Sequence, residues 1–354
     1  MRFWLWFFAL LLVSRVAAAL NISADERHEL SRDLALWQKK FGDDDHVRAA
    51  MKMVRGTLTT DDLLGRLKAT KDKLPALRAA NPHATFSHLT KFALLTRGEL
   101  ARFTSGPRMQ APSGLPYDGS GSVATDTIDW VPSMCVYPVQ DQGSCFSLWA
   151  MAAIQVAASA HCLATSPKRL LDISIQEVVS CANPGGPDGC HGGDAYAALK
   201  WILMQQSALC SGVKIPYTAR VSGYAPTCSD NSQCAGTISF DVNEVAEKSG
   251  EALLEKQVRV QPVLVTVSAS SDTWFLYTGG ILTSCPQTRW ALPYPMIVIG
   301  FGTENGVGFW KVRNAWGTIW GEQGDMRLLR GIGGRGTCNI AAHFMYPVIP
   351  SRNA

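Results

Sequence analysis

Ten cysteines, all lying between Cys135 and Cys338, constrain this chain more than any other feature, because what they do decides how the C-terminal two thirds can fold. The N-terminus indicates the compartment. Arg2 gives a short basic start, Phe3 to Val13 is an apolar run, and Ala17-Ala18-Ala19 offers a small-residue cleavage site. That is the pattern of a secretory signal peptide over residues 1–19, and the run is too short to span a bilayer comfortably. In an oxidising compartment an even cysteine count reads as disulfides. No Cys/His cluster has zinc spacing, so neither a metal nor a cofactor is expected. The tripeptide Asn21-Ile22-Ser23 is a glycan acceptor just past the cleavage site.

Two textures follow. Residues 20–104 are charged, rich in helix formers and free of cysteine. Leu34, Trp37 and Phe41 are spaced like one helix face, as are Leu63, Leu64, Leu67, Leu74 and Leu77. Residues 105–124 are dense in Gly, Pro and Ser, a linker composition open to proteolysis. Residues 125–354 hold all the cysteines; the Ala-rich stretch from Ser147 to about His161 reads as a helix, and Val263–Val267, Met296–Ile299 and Phe309–Arg313 read as strands. The fold class is α+β. A formal charge of +4 over 354 residues gives no reason to expect nucleic acid, and no later stretch approaches membrane-spanning length.

Three motifs occur in order. Gln142-Gly143-Ser144-Cys145-Phe146-Ser147-Leu148-Trp149-Ala150 resembles the Q-G-x-C-G-S-C-W-A nucleophile segment of papain-family cysteine peptidases. Gly189-Cys190-His191-Gly192-Gly193 resembles their G-C-x-G-G loop, and Asn314-Ala315-Trp316-Gly317 with Trp320-Gly321-Glu322 their N-S-W-G…W-G-E block. Ala79 to Phe86 and Lys91 to Thr96 resemble the propeptide of cruzipain-type, cathepsin L-like enzymes, and Tyr277-Thr278-Gly279-Gly280 before Cys285 also matches that family. The resemblance implies a helical propeptide over a two-lobed domain, one lobe helical and one a β-barrel, with a cleft between. It carries three bridges, Cys145–Cys190, Cys181–Cys228 and Cys285–Cys338. For Cys135, Cys162, Cys210 and Cys234, bridges Cys135–Cys162 and Cys210–Cys234 are the hypothesis and free thiols the competing reading.

Peptide hydrolysis on such a fold needs a thiolate at a helix start, an imidazole, an amide to orient that imidazole, and oxyanion donors. By resemblance, Gln142 and Asn314 fall at the oxyanion and orienting positions, Leu148 at the nucleophile and Tyr294 at the base. A hydrocarbon has no lone pair, and a phenol of pKa ~10 cannot stand in for imidazole. Pro293 and Pro295 should alter the strand start around Tyr294. Among stand-ins, Cys145 reads as a structural bridge, Ser147 is turned away along the helix by about 100°, and His191 reads as a surface or subsite residue. His28, His46, His83 and His88 lie in the propeptide-like region and His161 at the far helix end.

Phe146 stands where the family has a glycine and should narrow the cleft. Gly192 and Gly193 would pair with an extended peptide, Trp316 would wall the cleft, and His343 falls at the floor of the main specificity pocket or is simply a histidine near the C-terminus. Of the propeptide's G-x-N-x-F-x-D element only Phe92 remains, with His88 and Leu94 at the glycine and aspartate positions, so the carboxylate for acid-triggered release is missing. The expectation is a catalytically inactive homologue that binds peptides, cysteine-peptidase inhibitors or an active relative, in the secretory pathway, lysosomal or extracellular. A residual hydrolase and a structural surface protein without cleft function are the alternatives.

Overall fold

A computed structural model describes residues 22–52, 58–100, 126–182, 188–205, 209–228, 234, 238, 240, 244–269, 271–285 and 293–349. The expected signal peptide, the expected acceptor Asn21 and the expected linker at 105–124 lie outside the described residues.

The N-terminal domain is built from α1 (Ala24–Phe41), α2 (Asp45–Lys52), α3 (Thr60–Lys71), α4 (Leu74–Ala80), the short strand β1 (Ala84–Phe86) and α5 (Arg97–Leu100). Ser23 caps α1 through its hydroxyl, and Leu30, Leu34, Trp37 and Phe41 form its buried stripe. Thr59 and Asp62 close a reciprocal capping box on α3. The leucine face expected to run from Leu63 to Leu77 is divided between α3 and α4. Pro75 sits in the first turn of α4, where its missing N–H is harmless but where no preceding helix can run through it.

The C-terminal part has a helical lobe of α6 (Leu148–Ala164), α7 (Ile175–Cys181), α8 (Ala195–Met204) and α9 (Ala219–Ser222). Its other lobe is a sheet of β2 (Ile128–Asp129), β3 (Val245–Lys248), β4 (Val263–Ser268), β5 (Tyr277–Leu282), β6 (Pro293–Glu304), β7 (Val307–Arg313), β8 (Asp325–Leu329) and β9 (Phe344–Pro347), with helices α10 (Glu251–Val258) and α11 (Asp272–Phe275). The pairing order is β1-β5-β8-β7-β6-β4-β9-β3, with β2 on β6. β1 and β3 end the strand path and do not pair with each other among the described residues. β1 comes from the N-terminal domain and joins β5 antiparallel.

α6 is the spine. Every residue from Leu148 to Cys162 is buried, because Ala150, Ala152, Ala153, Ala157, Ala158 and Ala160 are small enough to admit neighbours on all sides. α8 and β6 both pack against it. All ten cysteines are paired: Cys135–Cys162, Cys145–Cys190, Cys181–Cys228, Cys210–Cys234 and Cys285–Cys338. Cys135–Cys162 ties the entry segment to the far end of α6, and Cys145–Cys190 fixes the loop just before its start. The two prolines around Tyr294 do not disrupt β6. They occupy its first turn of ladder, Pro293 opposite Ser268 and Pro295 opposite Thr266, at the strand start where proline is tolerated. No described helix is long and apolar enough to cross a membrane.

Candidate active site

The segment before α6 is stitched to the segment after β7. Gln142 donates its backbone N–H to the Ala315 carbonyl at 2.9 Å, and Asp141 bridges to Trp316. Gln142 and Asn314 are both buried. α6 then begins at Leu148, so the position that faces the helix N-terminus, where backbone dipoles would favour a thiolate, carries an isobutyl group that is 1% exposed.

Opposite, the second residue of β6 is Tyr294. Its hydroxyl donates to Asn314 Oδ1 at 3.0 Å, and the same oxygen accepts the Ala315 N–H at 2.8 Å. Its ring lies between Phe146, at 5.9 Å between centroids, and Trp316, at 5.7 Å. Complete burial pushes the phenol well above its ordinary pKa, so it stays a neutral donor. Phe146, Leu148, Tyr294 and Trp316 belong to one apolar cluster. These four side chains make a hydrocarbon and aromatic plug at the helix start, with one hydrogen bond to Asn314 and no ionisable pair.

The stand-ins are all engaged elsewhere. Cys145 is bridged to Cys190. Ser147 is the residue that precedes α6; it is fully buried, and its hydroxyl hydrogen-bonds the Tyr217 phenol, which in turn donates to the Gln142 carbonyl at 2.9 Å. Tyr217 carries no sequence signal: it lies seventy residues from Ser147 in the chain, and no motif marks it. His191 points outward, its side chain 72% exposed, with Asp188 at 3.9 Å. His161 packs edge-on against Phe240, and His88 pairs with Asp33 inside the N-terminal domain.

The residues expected to hold a peptide have structural occupations. Gly193 is needed by Trp149: a Cβ there would lie 2.5 Å from the indole ring, and the indole N–H is itself fixed on the Gly189 carbonyl at 3.0 Å. Gly193→Val is therefore expected to lower stability by roughly 3 kcal/mol through overpacking, read as a drop in the denaturation midpoint. Gly192 is buried with φ +101°, a conformation glycine adopts freely. Trp316, expected as a cleft wall, is fully covered: Phe92 of the N-terminal domain meets it at 4.8 Å and Phe275 stacks on it at 5.4 Å.

His343 is buried just before β9, with Nε2 2.9 Å from Glu247 on β3. Burial alone would raise the Glu247 carboxyl, but hydrogen bonds from Tyr196 and His343 outweigh it and hold that carboxyl below its usual range. Tyr196 comes from α8, so this cluster spans the two lobes. Among the described residues, no three His, Cys, Asp or Glu side chains converge as a metal site.

Comparison with known proteins agrees with this architecture. The family described as "Papain family cysteine protease" matches residues 124–348. "Germination-specific cysteine protease 1" of Arabidopsis thaliana is 31% identical over 286 residues, covering 77% of this chain and 73% of the relative. "Oryzain beta chain" of Oryza sativa subsp. japonica is 32% identical over 270 residues, covering 75% of this chain; the chain spans only 56% of that relative's length. In structure, the proform of the Amb a 11 cysteine protease, a ragweed pollen allergen, superposes with a TM-score of 0.70 at 22% identity, over 93% of this chain and 97% of that one. That likeness extends to the propeptide-bearing form of the fold. The chain belongs to the papain family of cysteine proteases.

Proposed function

We propose that this papain-family member does not hydrolyse peptide bonds and acts by binding. The observation that carries the reading is the pair at the site: a buried aliphatic residue, Leu148, at the start of α6, and a neutral phenol, Tyr294, on the amide that would orient an imidazole. Two further facts support it. All ten cysteines are consumed in disulfides, so the chain has no thiolate to offer. The one hydroxyl beside the helix start is held by Tyr217. Cysteine-type acyl transfer needs a nucleophile and a proton shuttle within hydrogen-bond reach, and these side chains provide neither.

The ligand classes that fit a silent member of such a family are peptides, inhibitors of cysteine peptidases, or an active relative. The signal-like N-terminus and five disulfides support a secretory-pathway protein, lysosomal or extracellular. The test is to expose the full chain, before and after cutting between residues 105 and 122, to an epoxysuccinyl peptide and to a fluorogenic peptide amide. No covalent adduct and no turnover above buffer are expected. An adduct on Cys145, or turnover abolished by Ser147→Ala, would overturn the reading.

A further inference from the structure

We infer that the N-terminal domain is a permanent partner of the peptidase-like domain, held after the connecting segment is cut and after acidification. The claim is separate from catalytic silence: an active protein can keep such a domain and a silent one can shed it.

Three kinds of contact join the two parts, and the first two, apolar and backbone, involve no carboxylate or imidazole. The first is apolar. Phe92 packs edge-on against both Phe275, at 5.2 Å, and Trp316, at 4.8 Å. Trp316 continues to Tyr294 and Tyr294 to Phe146, so a chain of rings runs from the N-terminal domain into the plugged site. Phe86, Phe92, Ala93 and Leu94 share one buried cluster with Phe146, Leu148, Tyr294 and Trp316. Tyr294 and Phe146 stand where the family carries histidine and glycine, so the plug itself enlarges the apolar surface continuous with Phe92.

The second contact is backbone. β1 adds to β5 with Ala84 opposite Gly280, Thr85 opposite Gly279 and Phe86 opposite Tyr277. The ladder is extended by Ile281 N–H to the His83 carbonyl at 2.7 Å and Ser87 N–H to the Leu276 carbonyl at 3.0 Å. A Cβ on Gly280, at φ +80°, would stand 2.2 Å from the His83 carbonyl oxygen, so this approach requires glycine there. Asn81, 1% exposed, accepts the backbone N–H groups of Thr283 at 3.1 Å and Ser284 at 2.8 Å through one side-chain oxygen.

The third contact is ionic. Lys73 meets Asp272 at 3.0 Å, and Lys91 lies 3.9 Å from Asp141. Both cations are lysines. Around Lys91 the charged groups are Asp141 and Arg220 from the peptidase-like domain and Asp44 from its own. Behind β5 lies Glu322, which accepts the Gly280 N–H at 2.9 Å and pairs with Arg327 at 2.7 Å. The position at which the family's propeptide carries an aspartate is Leu94, which is completely buried; its carbonyl accepts from Arg66, and Arg66 pairs with Glu99 within the same domain. Of the two histidines on this segment, His88 faces Asp33, which also meets Lys71, all within the N-terminal domain, and His83, whose carbonyl joins the ladder, has an exposed side chain.

Among the described residues, Lys91 is an unfavourable element despite its nearby aspartate. Its ammonium is buried without a hydrogen-bond partner, with Asp141 beyond bonding distance and the Phe92 ring at 5.3 Å. That gives the test two variants of opposite sign. A specific protease site is placed between residues 105 and 122 of the full chain. The cut protein is passed over a sizing column at pH 7 and at the lowest pH at which the uncut chain keeps its near-ultraviolet dichroism. Wild-type fragments are expected to co-elute at both. Phe92→Ala should weaken the association about a hundredfold, and Lys91→Met should leave it intact or tighten it. Separation of the wild-type fragments at the acid condition would overturn the inference, as would co-elution of the Phe92→Ala fragments under dilution with an affinity equal to wild type.

Discussion

The double variant Leu148→Cys, Tyr294→His should contain a thiol that ionises at least about two pH units below that of Leu148→Cys alone. A free cysteine titrates near ~8.5, and a helix start with an adjacent imidazolium brings it to roughly 3.5–7.5. Both ingredients are in place. Leu148 opens α6, and Tyr294 already has its polar end on Asn314 Oδ1, which would accept a ring N–H equally well. Ultraviolet thiolate absorbance across a pH titration reads the difference without requiring a substrate to enter. If the single and double variants titrate alike, positions 148 and 294 do not face each other and the site assignment fails. Peptide hydrolysis is expected to stay absent in the double variant, because Phe146 still packs over residue 294 and Phe92 still covers Trp316.

Asp325→Ala should lower stability by about 3–5 kcal/mol, a large share of the roughly 5–15 kcal/mol that separates a folded domain from its unfolded chain. Arg313 closes β7, one residue before Asn314, and grips Asp325 on β8 with two parallel bonds of 2.8 and 3.1 Å; a third bond of 2.6 Å reaches the Tyr137 carbonyl. Both side chains are about nine-tenths buried. Removing only the carboxylate strands a guanidinium in the interior, whereas replacing both partners by apolar residues of similar volume should be far milder. Chemical denaturation of the Asp325→Ala protein beside an Arg313→Met, Asp325→Leu protein measures the contrast. Equal losses in the two would mean that the shape of the pair matters, not its charge.

Much of this was legible along the chain because it was written locally. The start of α6 follows from an alanine-rich run behind Ser147, the face of α1 from the spacing of Leu34, Trp37 and Phe41, and the strands β4, β6 and β7 from their apolar runs. Leu148 was assigned from the motif around it, and Tyr294 by counting six residues back from Gly300. What the sequence did not show depends on partners far away in the chain. The packing of Trp149 against Gly193 is not written in the loop motif that carries the glycine. The burial of Lys91, 1% exposed, is likewise set by distant partners. Ser147 looks like a free hydroxyl until Tyr217 arrives from another loop. Helix spacing, which linked Leu63 to Leu77 as one face, could not register that Pro75 starts a new helix.

The strand supplied by residues 84–86 has an effect beyond docking. Outer strands with open N–H and C=O groups invite pairing with other molecules, and proteins commonly cover them. Here the outermost seat beside Tyr277–Gly280 is taken by the chain's own N-terminal region. Expressed from residue 126 onward, the protein would present that row of backbone groups to solvent beside the aromatic surface left by Phe92, a combination that favours intermolecular sheet growth over a soluble monomer.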